Sequence, residues 1–299
     1  MDRFQLLSVF VAVAEEARFA AAARRLGQSP PAVTRAVSAL EERLGVRLLT
    51  RTTRCVRVTE AGARYLEDAR RILNDLEEAD QAAAGNNATP RGLLAVTAPV
   101  LFGKLYVMPL LVEYQTTYAH TTVSALLVDR VVNLMEEGLD VGVRIGPLPD
   151  STLRAIRVGQ VRRVICATPA YLEQHGVPQV PDDLREHCLI AATGLSPTPE
   201  WRFQQNGAKR TVKVAPRLLV NTNDGALEAA RAGFGLTRLL SYQVAPQLAS
   251  GELTRVLGAF EEAALPVQVI HREGRHGSVK VRSFVDLAVQ RLRADQALN

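Results

Sequence analysis

Residues 19–45 read FAAAARRLGQSPPAVTRAVSALEERLG, and this stretch decides the fold of the first part of the chain. Phe19 to Leu26 is alanine-rich and helix-forming, and Gly27 ends it by accepting a left-handed backbone. Ser29 stands where a hydroxyl caps free backbone N–H groups, and a proline at the first helical position loses no hydrogen bond. Val33, Val37, Leu40 and Leu44 then recur at spacings of four, three and four, which gives a third helix one narrow apolar stripe. At about 100° per residue, Pro31, Arg35 and Ser38 lie opposite that stripe, with Ala32 and Thr34 beside them. That face is short, small and basic. Upstream, Phe4, Leu7, Phe10, Val11 and Ala14 predict a helix over residues 4–14. Three short helices with a tight turn before the last make a helix-turn-helix, whose final helix enters a DNA major groove by its N-terminal residues. On periodicity alone, an ordinary three-helix bundle with a solvated polar face is the alternative.

The next segment weighs against that alternative. Arg51, Arg54 and Arg57 recur at every third position through a β-rich, turn-like stretch, as in a wing that meets phosphates, with Thr52 among them. The net charge of +5 and pI of 9.4 say little alone. Their distribution says more, because residues 1–60 hold ten arginines against six acidic residues, whereas residues 61–90 hold three arginines against six. From Thr59 the sequence turns strongly helical. Leu66, Ala69, Leu73, Leu76 and Ala83 keep a three-and-four spacing apart from Asp80, with charged residues on the other faces. A dimerisation helix and a solitary amphipathic helix on its own domain both fit. Gly85 to Pro90 supplies a turn-rich hinge, so a first boundary is expected near residue 90.

Beyond the hinge, apolar strand-like runs alternate with helical ones. Leu93–Thr97, Val123–Val128, Val141–Ile145, Val161–Ala167, Cys188–Ala192, Val212–Val214, Gly235–Leu240 and Val267–His271 read as strands. Gly103–Tyr114, Val131–Glu137, Asp224–Ala232, Ser241–Ala249 and Ser278–Arg293 read as helices. This alternation predicts two α/β lobes with a largely parallel sheet and a cleft. Ligands of such folds sit outside strand C-terminal ends, near helix N-termini. Thr97, Pro99, Val100, Val128, Gly146, Thr222 and Asn223 are the candidate pocket wall on that ground. Capping of the following helix is an equal reading for Thr222 and Asn223. Arg238 interrupts the apolar run Leu236–Leu240, where it either clamps an anionic ligand or pairs with a carboxylate of the chain.

Several classes are excluded. With 299 residues, 47% apolar and 22% charged, the chain is globular and long enough for two or three domains. Its longest apolar stretch, Leu93–Val112, is broken by Pro99, Gly103, Lys104 and Pro109, so no membrane partner is expected. The start resembles neither a secretory nor a transit peptide, which predicts a cytoplasmic protein. Cys55, Cys166 and Cys188 are too scattered for a disulfide framework and are read as reduced thiols. Five histidines show no ligand spacing, and no nucleophile elbow, phosphate loop or dinucleotide fingerprint occurs. No metal, cofactor or catalytic residue is expected.

The N-terminal residues carry a family resemblance. Phe19, Ala22-Ala23, Leu26, Ser29, Pro31 to Arg35, Leu40-Glu41, Leu44-Gly45, Leu48, Arg51 and Thr59 to Gly62 resemble the signature of LysR-type transcriptional regulators. Leu139 to Gly146, Ala167 to Leu172 and Ala232 to Leu236 resemble their effector domain, in the subgroup that includes a meningococcal regulator of adhesion genes. The resemblance implies a winged helix-turn-helix DNA-binding domain over residues 1–59 and a linker or dimerisation helix and hinge over 60–90. It implies an α/β effector domain over 91–299, resembling type 2 periplasmic binding proteins. Lobe I would hold residues 91–161 and 266–299, and lobe II residues 162–265. Double-stranded DNA, a small-molecule effector, a second copy in a homodimer or homotetramer, and RNA polymerase are the implied partners. Ser29, Pro30, Pro31, Ala32, Thr34, Arg35 and Ser38 would meet DNA from the helix, and Arg51, Thr52, Arg54 and Arg57 from the wing. Pro30 stands where the family usually has Gln, so Thr34 and Arg35 lead that set. Two other readings compete: a small-molecule enzyme with a helical dimerisation head, and an architectural DNA binder without an effector.

Overall fold

The computed structural model describes residues 2–51, 56–84, 89–148, 153–192, 200–205, 207–272 and 278–298. Thr52, Arg54, Cys55 and most of the expected hinge lie outside the described residues, as does the side chain of Arg51. The chain divides into two compact units, one reaching to Leu93 and taking in Ser278 and Val279, the other beginning at Leu94.

The first unit is built from α1 (Arg3–Glu16), α2 (Phe19–Leu26), α3 (Pro30–Leu44), a hairpin of β1 (Leu49–Arg51) and β2 (Val56–Val58), and α4 (Glu60–Ala84). Its core joins Leu7 and Phe10 of α1, Ala22 and Ala23 of α2, Val33, Val37 and Leu40 of α3, and Ala69 of α4. The stripe expected on α3 is therefore the buried face. Gly27 ends α2 at φ +63°, with Gln28 N–H donating to Ala23 O at 2.9 Å. The expected cap at Ser29 is corrected, since its hydroxyl makes no cap bond. The reason is local: Pro30 and Pro31 bring no N–H, and the N–H of Ala32 is already taken by Ser29 O at 2.9 Å.

The second unit holds two five-stranded sheets. The first has the order β4 (Thr121–Leu127), β3 (Gly92–Ala98), β5 (Val141–Ile145), β14 (Leu265–Arg272), β6 (Leu153–Val161). The second has the order β11 (Leu218–Val220), β8 (Leu189–Ala192), β12 (Leu236–Leu240), β7 (Arg163–Ala167), β13 (Thr254–Val256). Successive residues of β3 feed opposite faces. Leu94 and Val96 join a large core with Phe284 and Ala288 of the last long helix, while Ala95 joins a smaller one with Leu134 and Ile270. The helices are α5 (Val100–Phe102), a π-helical turn (Gly103–Val107), α6 (Met108–Thr117), α7 (Pro169–His175), α8 (Asn223–Arg231), α9 (Ser241–Ser250) and α10 (Val279–Ala294).

Two expectations are corrected. Neither sheet is largely parallel: β3 with β5, and β8 with β11 and β12, are parallel, but β14 runs antiparallel to β5 and β6, and β7 antiparallel to β12 and β13. The antiparallel pairs arise where the chain leaves one sheet at Arg162 and returns through residues 257–264. Val131–Glu137 holds a single turn rather than a helix: Asn133 caps it by accepting the Met135 N–H at 3.0 Å, and Gly138 at φ +62° ends it, with the Leu139 N–H donating to Leu134 O at 2.8 Å. Most of β6 and the hairpin of β9 (Glu200–Gln205) with β10 (Ala208–Lys213) were not foreseen. In β9 only Trp201 and Phe203 are buried among polar neighbours.

Candidate nucleic-acid interface and ligand cleft

On α3, Ser29, Pro30, Pro31, Arg35 and Ser38 are exposed, and Ala32 and Thr34 half-buried. The seven helix residues named from the sequence thus run from the N-cap of α3 to its middle. Among the described residues no carboxylate holds Arg35 or Arg57, and Arg57 is exposed on β2 opposite Thr50. Two arginines elsewhere in this unit are committed. Arg25 and Arg70 both reach Glu15, at 2.7 and 2.9 Å. Burial pushes the Glu15 carboxyl upward, but these two guanidinium groups prevail and hold it below the ordinary carboxylate range.

Sequence reasoning missed what aims the wing. The Glu41 carboxylate, 8% exposed, accepts the N–H groups of Leu48 and Leu49 at 2.8 and 3.0 Å, which fastens the start of β1 to the last turns of α3. Thr59 donates to Arg47 O at 2.8 Å and accepts the Gly62 N–H at 2.9 Å, so one hydroxyl both closes the wing and caps α4. A Cβ at Gly62 would overlap the Leu48 carbonyl oxygen. The only visible signal for these residues was their place in the family signature.

The second unit contains a cavity of about 590 Å³ lined from both sheets. Pro99, Asn223 and Arg238, all named from the sequence, line it. The other named residues do not. Thr97 is fully buried in β3 with its hydroxyl unpartnered, and the Val128 N–H donates to Ala98 O at 2.9 Å. The Val100 N–H donates to Asp129 Oδ1 at 3.0 Å, so the chain's own carboxylate occupies that helix start. Gly146 leaves β5 with its N–H on Pro266 O at 2.9 Å. Thr222 caps α8, its hydroxyl accepting the Gly225 N–H at 3.1 Å.

Arg238 does pair within the chain: its Nη2 donates to Glu262 Oε2 at 2.7 Å and to Arg202 O at 2.7 Å, and its guanidinium lies over Phe203, 5.6 Å from the ring centre. Desolvation lowers its pKa to about 10, Glu262 opposing that shift and Arg163 and Arg202 adding to it. Arg163, Trp201, Arg202, Tyr242 and Glu262 line the cavity unforeseen, because the folding of β9 and of the crossovers brings them there. Tyr242 packs edge-on to Phe102, and burial pushes its hydroxyl pKa upward. Among the described residues, no cluster of three or more His, Cys, Asp or Glu is placed to hold a metal, and no helix is long and apolar enough to cross a membrane. Cys166 and Cys188 are free thiols, and burial raises Cys166 to about 12.

A winged helix-turn-helix followed by a long helix and a two-sheet domain with a cleft is the architecture of a ligand-responsive transcription regulator. Residues 4–63 match the bacterial regulatory helix-turn-helix protein family of lysR type, and residues 87–293 match the LysR substrate binding domain. The chain belongs to the LysR family: it is a DNA-binding transcriptional regulator with a substrate-binding effector domain. An HTH-type transcriptional regulator of Xanthomonas campestris pv. campestris is 35% identical over 291 residues, 96% of this chain and 85% of that protein. The regulator CrgA of Neisseria meningitidis serogroup B is 30% identical over 287 residues, 96% of each chain. The solved structure of CrgA from Neisseria meningitidis superposes with a TM-score of 0.62, covering 96% of this chain and 98% of that one at 30% identity.

Proposed function

We propose that this chain works as a homodimer or homotetramer in which residues 1–59 bind DNA, residues 60–90 pair the heads, and residues 91–299 bind a small organic effector between two lobes. The carrying observation is the placement of Arg35 and Arg57 in the first unit. Arg25 and Arg70 are neutralised by Glu15, while among the described residues no carboxylate pairs with Arg35 at the recognition helix or Arg57 on the wing, and both face solvent. Cations kept free at the end of a helix-turn-helix fit duplex phosphates and base edges. Thr34 and Arg35 are assigned the base edges, and Arg51, Thr52, Arg54 and Arg57 the backbone. Two heads on paired linker helices would read half-sites about one DNA turn or more apart.

The cavity is assigned to binding rather than to catalysis, since Arg163, Arg238 and Glu262 are engaged with one another. Its walls are Pro99, Asn223 and Arg238 with Trp201 and Tyr242. Effector binding biases the lobes and hence the heads by its differential affinity for the two states. Such a regulator acts in the cytoplasm, at promoters where RNA polymerase is the further partner.

The test is fluorescence anisotropy of the full chain with random duplex and with the region upstream of its own gene. Micromolar binding to random duplex that falls steeply with salt, and tighter binding to the upstream region, is expected. Indifference to both duplexes at low ionic strength would overturn the reading.

A further inference from the structure

The cavity holds an internal anion. Glu262 Oε2 takes both Nη2 of Arg238, at 2.7 Å, and Nη1 of Arg163, at 3.3 Å, so two guanidinium groups converge on one carboxylate oxygen. Arg202 lines the same cavity and adds to the crowding of positive charge that Arg238 senses. Arg238 is 10% exposed, and among the described residues only its Nη2 is engaged in hydrogen bonds. Glu262 thus holds Arg238 through one nitrogen only, where a planar carboxylate could hold it through two.

The position of Glu262 gives this cluster leverage. Glu262 lies in residues 257–264, the segment that returns the chain from β13 in the second sheet to β14 in the first. Arg163 opens β7 one residue after the outgoing crossover at Arg162. One carboxylate therefore ties the return crossover to the outgoing one and to β12. The return segment also begins with backbone strain, because Leu257 adopts φ +55°, a left-handed conformation unfavourable for a branched side chain.

Resting on the proposed effector function of the cavity, we propose that the effector is an organic carboxylate that takes the place of Glu262 on Arg238 and Arg163, and that Glu262 is the latch which this exchange releases. The apolar part of the ligand packs against Trp201, Ile145 and Leu265, which line the same cavity. The exchange is balanced in charge, since one carboxylate replaces another on the same cations. The released Glu262 turns to solvent and frees the crossover that links the sheets.

The chain has a single tryptophan, Trp201, so its emission reports on the cavity directly. The full-length protein is titrated with 3-phenylpropanoate and succinate, and with 3-phenylpropanamide as the uncharged control. At least one carboxylate is expected to perturb Trp201 while the amide does not. E262Q removes the internal competitor and tightens that carboxylate about tenfold, whereas R238Q weakens it by at least as much. E262D, which keeps the charge but draws it back by one methylene, falls between wild type and E262Q and serves if E262Q does not fold. Unchanged or weaker carboxylate binding in E262Q or, failing that, in E262D would overturn the proposal. So would an amide that binds as well as the acids, or three silent probes in wild type and variants alike. Random-duplex anisotropy of the wild-type chain without carboxylate separates this failure from failure of the regulator reading, because that signal comes from phosphate contacts and needs no occupant of the cavity.

Discussion

Close approach and strain at single residues set different costs for changes that look alike in sequence. Gly62 has an ordinary backbone, yet a Cβ there would press into Leu48 O and lie 2.8 Å from Val58 Cγ1. Gly27 has nothing within 4 Å of its would-be Cβ but sits at φ +63°. Gly27→Ala is expected to cost about 1–2 kcal/mol from the left-handed backbone. Gly62→Ala forces backbone apart where the wing meets α4, at about 1–3 kcal/mol or more, and thermal melts by circular dichroism should show the larger loss at Gly62. Glu41→Ala leaves the Leu48 and Leu49 N–H groups without their acceptor, at about 1–3 kcal/mol. Hydrogen exchange at those two amides should rise in that variant, and unchanged protection would deny Glu41 its role. Thr59 to Gly62 and Glu41 were visible in the sequence as parts of a signature. Their physical reasons were not, because each concerns a partner 7–14 positions away that only the folded wing brings near.

At the scale of elements, what was legible followed from local periodicity. The stripe on α3 and the glycine after α2 gave three helices whose ends lie within about two residues of the observed ones. The strands of the second unit were legible mostly as strands, but their directions depend on where the chain crosses between sheets. No window of sequence reports that. Cleft residues failed for the same reason: Pro99 and Asn223 follow strand ends, whereas Arg163 and Glu262 owe their places to the crossovers. The recognition helix and wing allow a direct comparison. Arg35→Ala should flatten the preference of the protein for its operator over random duplex, the loss being about 1–3 kcal/mol on the operator alone. Arg57→Ala should weaken both duplexes alike and lower the slope of log K against log salt by about 0.9. Both are read by anisotropy across a salt series; an operator-specific loss at Arg57 would place it on a base rather than a phosphate.

At the scale of the whole molecule, each unit has a core of its own. Among the described residues, the core of the first unit draws on residues 6–73 and those of the second on residues 94–298. A chain with two such cores need not melt as one, so calorimetry should resolve two transitions rather than a single cooperative one. Each ligand then marks its own unit, because a ligand stabilises only the folded form that binds it. Duplex DNA should raise the transition of the smaller unit. A carboxylate held at 100 times its dissociation constant adds about 2.7 kcal/mol to the other, which for roughly 200 residues is a rise of about 5–10 °C. If DNA and carboxylate are coupled through the chain, the carboxylate must also change the affinity for operator, and DNA must change the affinity for carboxylate by the same factor. Reciprocal shifts in the two titrations would establish that coupling. A carboxylate that raised its own transition yet left operator affinity untouched would leave a binding domain and a DNA-binding domain that share a chain without communicating.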